Sequence, residues 1–151
     1  MQSRMARRLL LSVAAVALAG FAVGCGDDEG GEDGGEETAQ VSETIEIEMD
    51  DFKFIPKNAK AKAGTAKIEA PNIGVEPHEL ELFKSDEDPG SLEVIGDSAD
   101  TEPLGGDVGE VLVAPGETGE LTVDLEPGKY AMICNLPNHY AQGMYGSLTV
   151  G

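Results

Sequence analysis

Cysteine and histidine are scarce in this sequence, two of each in 151 residues. Arginine is confined to Arg4, Arg7 and Arg8, and only seven lysines follow, against 29 Asp and Glu. A chain this poor in basic groups does not bind nucleic acid through its phosphates, which takes Lys and Arg. At a formal net charge of −19 it favours basic partners and repels anionic ones. Two histidines are too few for a multicopper oxidase, whose sites use many, some in His-x-His pairs. A dinuclear copper centre of the oxidase type needs two cysteines in one loop, and the loop around Cys134 has one. No targeting run or membrane span appears after residue 25.

What is present begins with a positive start followed by the apolar run Leu9–Val23 of 15 residues. A spanning helix needs about 20, whereas a signal-peptide core is of this length. The run ends in Ala22-Val23-Gly24-Cys25, which resembles a bacterial lipoprotein cleavage box, with Ala22 where Leu is usual. Residues 1–24 are therefore expected to be a lipoprotein signal peptide, with Cys25 lipidated as the first mature residue. An ordinary secretory signal with a chance Cys, an uncleaved anchor, and a Cys25–Cys134 disulfide are the competing readings. Loss of residues 1–24 takes three arginines and no acids, so the charge goes from −19 to −22. Residues 25–40 then form a lipidated Cys and an acidic, Gly-rich linker. Its segment GDDEGGEDGGEETAQ has no large apolar residue to offset the entropy of ordering and is expected to be disordered. As a flexible coil it spans roughly 20 Å, and repulsion among its acids extends it further.

Residues 41–151 are the one folded unit, and the pattern is β throughout. Ile45, Ile47 and Met49 alternate with Glu46 and Glu48; Leu80 and Leu82 with Glu79 and Glu81; Leu121, Val123 and Leu125 with Thr122, Asp124 and Glu126. Tyr130, Met132 and Cys134 share one face of KYAMIC, and Ser147–Val150 close the chain. A period of two with polar partners means strands packed on one face. Short strands separated by turn signals such as Ala114-Pro115-Gly116 and Glu126-Pro127-Gly128 predict an all-β sandwich. The alternating acids read as its solvated face. Residues 84–109 break the rhythm. They read as a long excursion anchored by Leu92, Val94, Ile95, Leu104 and Val108, with room for a helical turn.

The scarce residues fall in one pattern. His78 opens HELELF and shares the inward face of Leu80 and Leu82, while Cys134 ends KYAMIC. If these strands are neighbours, the two side chains meet at one end of the core. Pro137 and Gly143 let the following loop return, and His139 and Met144 follow Cys134 at intervals of five residues. Two imidazoles, a thiolate and a thioether suit copper, and a trigonal His2Cys set with a weak axial Met is the blue-copper arrangement. Structural zinc rarely uses Met. A Cys–His hydrolase wants an oxyanion hole, and no Gly-rich donors are at hand to form one. Met49 and Met132 lie mid-strand and are expected in the core. A metal-bound Cys134 also explains an unpaired cysteine outside the cytoplasm.

At these residues the sequence resembles the cupredoxins, small copper proteins with a Greek-key β-sandwich. They carry a His on an early strand and a Cys…His…Met loop before the last strand. The loop spacing looks most like that of rusticyanin and sulfocyanin. The segments DFKFIPKNAKAKAGT and IEAPNIGVEPHELEL are similar to the opening strands of plastocyanin-like domains. The resemblance implies one type 1 copper ion cycling between Cu(I) and Cu(II), held by His78, Cys134, His139 and Met144. It implies a His139 ring edge exposed within an apolar patch of Leu136, Pro137, Tyr140, Ala141 and Gly143. Two positions depart from the family pattern: Glu79 stands where several members have a loop-bracing Asn, and Asn135 where many have Ser or Thr.

The expected function is a membrane-tethered, non-enzymatic carrier of single electrons. It would be a monomer, lipid-anchored to a bacterial membrane outside the cytoplasm, in the periplasm or on the outer face of the cell membrane. Its partner would be a cytochrome or oxidase with a basic docking surface. The alternative is a copper-binding or delivery protein for copper homeostasis or oxidase assembly.

Overall fold

A computed structural model describes residues 40–151. The expected signal peptide, Cys25 and nearly all of the linker lie outside the described residues. Twelve strands follow in chain order: β1 (Glu43–Glu46), β2 (Glu48–Asp50), β3 (Lys53–Ile55), β4 (Asn58–Ala61), β5 (Gly64–Pro71), β6 (His78–Lys84), β7 (Val94–Ile95), β8 (Ser98–Ala99), β9 (Asp107–Val113), β10 (Thr118–Leu125), β11 (Gly128–Ile133) and β12 (Tyr145–Val150). Two single 3-10 turns, Glu102–Leu104 and Tyr140–Gln142, are the helical elements among the described residues.

The strands form two main sheets, in the orders β1-β5-β10 and β4-β12-β11-β6-β9. The larger is antiparallel except for the β4–β12 pair. Between the sheets lies the main core. Ala66, Ile68, Ala70, Val123 and Leu125 come from the smaller sheet, and Leu80, Leu82, Tyr130, Met132 and Leu148 from the larger. Met49 and Met132 are both in it, as their mid-strand positions predict. The all-β sandwich expected from alternation is the fold.

Four differences from the expected layout have local causes. The run Ile45–Met49 is two strands, because β1 pairs with β5 while β2 turns away to pair with β3. Strand β5 gives little alternation of its own, because two of its three inward residues are alanines. Strand β9 starts inside the supposed excursion and runs along the edge of the larger sheet, with Val108 and Leu112 exposed on its solvent side. The excursion itself is a structured cover. Leu104 and Ala99 are buried with Phe83, Ala131, Ile133 and Tyr140 in a second cluster, and Leu92 packs against it. Val94 and Ile95, expected as anchors along with Val108, are instead exposed on the small β7–β8 hairpin. Strand β11 is thus buried on both faces, one in each cluster. Burying a side chain such as Leu104 contributes about 1.5–3 kcal/mol, enough to hold a mostly polar segment down.

Candidate metal centre

Strands β6 and β11 are antiparallel neighbours, with Met132 opposite Leu82 and Ile133 opposite Glu81. This pairing brings the start of β6, His78, alongside the residue just after β11, Cys134. The Glu79 amide donates to Cys134 Sγ at 3.4 Å. The loop from Cys134 to Met144 is closed at its base, because the Cys134 amide donates to the Met144 carbonyl at 3.1 Å and continues the β11–β12 ladder. Within it the Met144 amide donates to the His139 carbonyl, and the Gly143 amide to that of Tyr140. Two left-handed residues allow the tight path, Asn138 (φ 67°) and Gly143 (φ 107°); these are the residue types that adopt it at least cost.

The result is a convergence of donor atoms. His139 Nδ1 stands 3.2 Å from His78 Nδ1 and 3.4 Å from Cys134 Sγ. His78, Cys134 and Met144 are fully buried, and His139 is 8% exposed. The Phe52 ring makes T-shaped contacts with both imidazoles, its centre 4.8 Å from that of His139. Burial holds the Cys134 thiol well above its ordinary value, at about 11. Burial, and then the neighbouring His78, push His139 below the ordinary imidazole range. Without metal the group is therefore a protonated thiol beside an imidazole biased toward its neutral form. A metal must displace the thiol proton, so its affinity rises with pH.

The donor set fits a soft transition-metal ion. Two donors bound to one ion at about 2.0–2.3 Å, as nitrogen and sulfur ligands of the similarly sized zinc are, stand roughly 3.2–3.8 Å apart. The two observed separations match. Met144 joins the group through its backbone bonds to Cys134 and His139 and shares the main core with Cys134.

The family model described as "Copper binding proteins, plastocyanin/azurin family" matches residues 40–151. The chain belongs to the plastocyanin/azurin family of copper-binding proteins. Among relatives of this cupredoxin, the copper-resistant cuproprotein CopI of Pseudomonas aeruginosa is 30% identical over 143 residues, spanning 76% of this chain and 79% of its own. Two solved structures are similar. Dithionite-reduced auracyanin of Roseiflexus castenholzii is 25% identical, with a TM-score of 0.57, over 74% of this chain and 98% of its own. Auracyanin A of Chloroflexus aurantiacus, a "blue" copper protein, is 27% identical, with a TM-score of 0.55, over 72% and 98%. The cofactor of this cupredoxin is copper.

The two departures from the family pattern resolve structurally. Glu79 turns its side chain to the outer face of β6, and its backbone amide reaches the sulfur. Bracing of the ligand loop falls to Asn135. Its side-chain oxygen accepts from the Ala99 amide at 2.7 Å, and its side-chain nitrogen donates to the Ala99 carbonyl at 3.2 Å. The Asn138 amide adds a 2.6 Å bond to the Asp97 carbonyl. The cover over the second cluster is therefore also the brace of the ligand loop. Tyr140 does not belong to an exposed patch, contrary to expectation. It is buried in the second cluster, where its hydroxyl donates to the Pro89 carbonyl and accepts from the Leu92 amide.

Sequence reading missed Asp51, whose Oδ1 lies 2.9 Å from His78 Nε2. Nothing marks one aspartate among so many acids.

Proposed function

We propose that this cupredoxin carries single electrons between extracytoplasmic redox partners, holding copper through His78, Cys134, His139 and Met144. The observation that carries the reading is the buried convergence of His78, Cys134 and His139, one donor atom from each lying within 4.8 Å of the others. Bound copper supplies a one-electron couple between Cu(I) and Cu(II). The chain supplies the rest. The loop bonds from Cys134 and Met144 fix where each donor sits, so little has to rearrange when charge changes. Phe52 and the core exclude water from the thiolate. His139 is the least buried of the four and offers the path by which an electron enters or leaves. Pro137 and Ala141 are exposed in the ligand loop beside it. Val75, 80% exposed, sits one hydrogen bond from the Asp51 carboxylate that contacts His78. This apolar rim is the docking surface, and the acidic surface around it steers a cytochrome or oxidase with a basic face. Lipidation at Cys25 would tether the domain to a membrane through the acidic linker, as a monomer.

Addition of Cu(II) to the purified protein tests the reading. The expected outcome is intense visible thiolate-to-copper absorption with a narrow EPR hyperfine splitting. A weak spectrum with ordinary Cu(II) splitting would sink it. Met144→Leu should keep copper and raise the reduction potential, measured by redox titration; complete loss of binding contradicts a role for Met144 as the weak ligand.

A second reading, copper binding in copper resistance, is favoured by the likeness to the Pseudomonas aeruginosa cuproprotein. Delivery proteins expose Met and His for exchange, whereas here Met49 and Met132 are sealed in the core. Fast transfer of Cu(I) to an acceptor chelator would favour this reading over the carrier.

A further inference from the structure

Asp51 lies in the turn between β2 and β3, distant in sequence from every expected ligand. Its carboxylate is held by several donors. Oδ1 lies 2.9 Å from His78 Nε2 and accepts from the Glu76 amide at 3.3 Å. The Val75 amide stands 3.2 Å from Oδ1 and 3.1 Å from Oδ2. An ionised carboxylate can only accept, so the proton of the bond to His78 resides on Nε2. The other ring nitrogen, Nδ1, then carries its lone pair toward His139 Nδ1 and the metal position. A second observation points the same way. Gly74 carries no left-handed φ that would demand glycine, yet a Cβ there would collide with the Asp51 carboxylate and stand 2.9 Å from His78 Nε2. The space beside the pair is kept open by the absence of a side chain.

We propose that Asp51 is a positioning residue of the metal centre: its bond to Nε2 locks His78 in the tautomer that presents Nδ1, and its negative charge, one ring away from the metal, favours the oxidised state of bound copper. Carboxylate–histidine–metal relays act in this way, orienting the ring and raising its basicity. Capping of the Val75 and Glu76 amides alone needs no contact with the ring. The inference rests on the copper reading of the site. Its first measurement is made on metal-free protein, so its failure and that reading's failure are distinguishable.

The test uses Asp51→Asn, Asp51→Ala and Gly74→Ala in the full-length protein. Imidazole 15N shifts of the metal-free protein at alkaline pH report the tautomer. Wild type and Asp51→Asn, which keeps an acceptor oxygen, should show His78 protonated at Nε2 alone. Asp51→Ala should show both tautomers, and Gly74→Ala, which forces the carboxylate away, should match it. In copper-loaded protein the reduction potential should rise in Asp51→Asn and at least as far in Asp51→Ala. An unchanged tautomer and potential in folded Asp51→Ala, or a change in thermal midpoint alone, would overturn the proposal. If Asp51→Ala does not fold, Asp51→Asn decides: an unshifted potential there overturns the electrostatic role.

Discussion

Strand β6 carries two clusters of three potential ligands, on opposite faces and one residue apart. Inward, His78 meets Cys134 and His139; outward, Glu79 and Glu81 meet Glu110 of β9. Each cluster has its donor atoms within 4.8 Å of one another, and there the likeness ends. The inner groups are buried and partnered, His78 by Asp51 and Cys134 by the Glu79 amide. The outer carboxylates are partly exposed, and none pairs with a lysine among the described residues. Glu81 sits directly opposite Glu110 in the ladder, and like charges so placed destabilise a sheet. Burial first, then the shared hydrogen bond and charge of Glu79, then Glu110 and Asp107, raise its pKa to about 8. Proximity of donors therefore does not make a site. The inner cluster joins a thiol and two imidazoles, with His78 held by Asp51 and Cys134 by the Glu79 amide, while in the outer one repulsion is relieved when Glu81 holds a proton.

The comparison can be broken from the inner side first. Cys134→Ser removes the thiolate and should abolish all intense visible absorption of the copper-loaded protein. A variant that stays intensely blue contradicts the site. Metal-free stability should fall by only about 1–3 kcal/mol, the scale of disturbing one buried polar contact, as read by urea denaturation. The next largest effect tests the alternation itself. Leu80, between Glu79 and Glu81 in sequence but on the inner face, is fully buried, so Leu80→Ala should cost about 2–5 kcal/mol. Its neighbour Glu79, changed to Gln, should cost nothing and instead gain on the order of 0.2–1 kcal/mol, because it removes a like charge beside Glu81. Similar costs for the two would mean that β6 does not divide the molecule into inner and outer faces.

Those faces were legible in the sequence because alternation is a local signal, and the ligand loop because three residue types, Cys, His and Met, fell in it at family spacing. What surrounds the site was not legible, for physical reasons. Asp51 and Asn135 act through long-range contacts, 27 and 36 positions from His78 and Ala99. Each is of a common polar type that could as well face solvent. Residues 84–109 read as an excursion because burial there depends on two large side chains and an alanine, too few to make a period. Glu81 read as solvated because alternation predicts a face and says nothing of what lies across the strand. The brace can be tested directly. Asn135→Ala deletes both bonds to Ala99, worth about 0.5–1.5 kcal/mol each, so a total loss of about 1–3 kcal/mol is expected. Amide hydrogen exchange should quicken at Ala99 and Asn138 and stay unchanged along β9; a uniform increase would mean that the hairpin does not specifically hold the ligand loop.

The smallest effect comes from the outer cluster and has the opposite sign. In the unfolded chain Glu81 titrates near the ordinary value of about 4.3, whereas in the folded protein its pKa is about 8. Between these values the folded state keeps a proton that the unfolded state gives up. Stability is therefore lost as pH rises through this window, by linkage, until Glu81 ionises in the folded state as well. Glu81→Gln mimics the protonated form at every pH. It should flatten the slope between about pH 4 and 8 and stabilise the protein near pH 8. Partial exposure screens the charges, so the gain is on the order of 0.2–1 kcal/mol for each like-charge contact relieved. Denaturation of metal-free wild type and variant at a series of pH values reads this out. Parallel curves would mean that the outer face of β6 carries its three carboxylates without strain. A gain confined to the upper end of the window would show that the two faces of one strand are held by opposite rules.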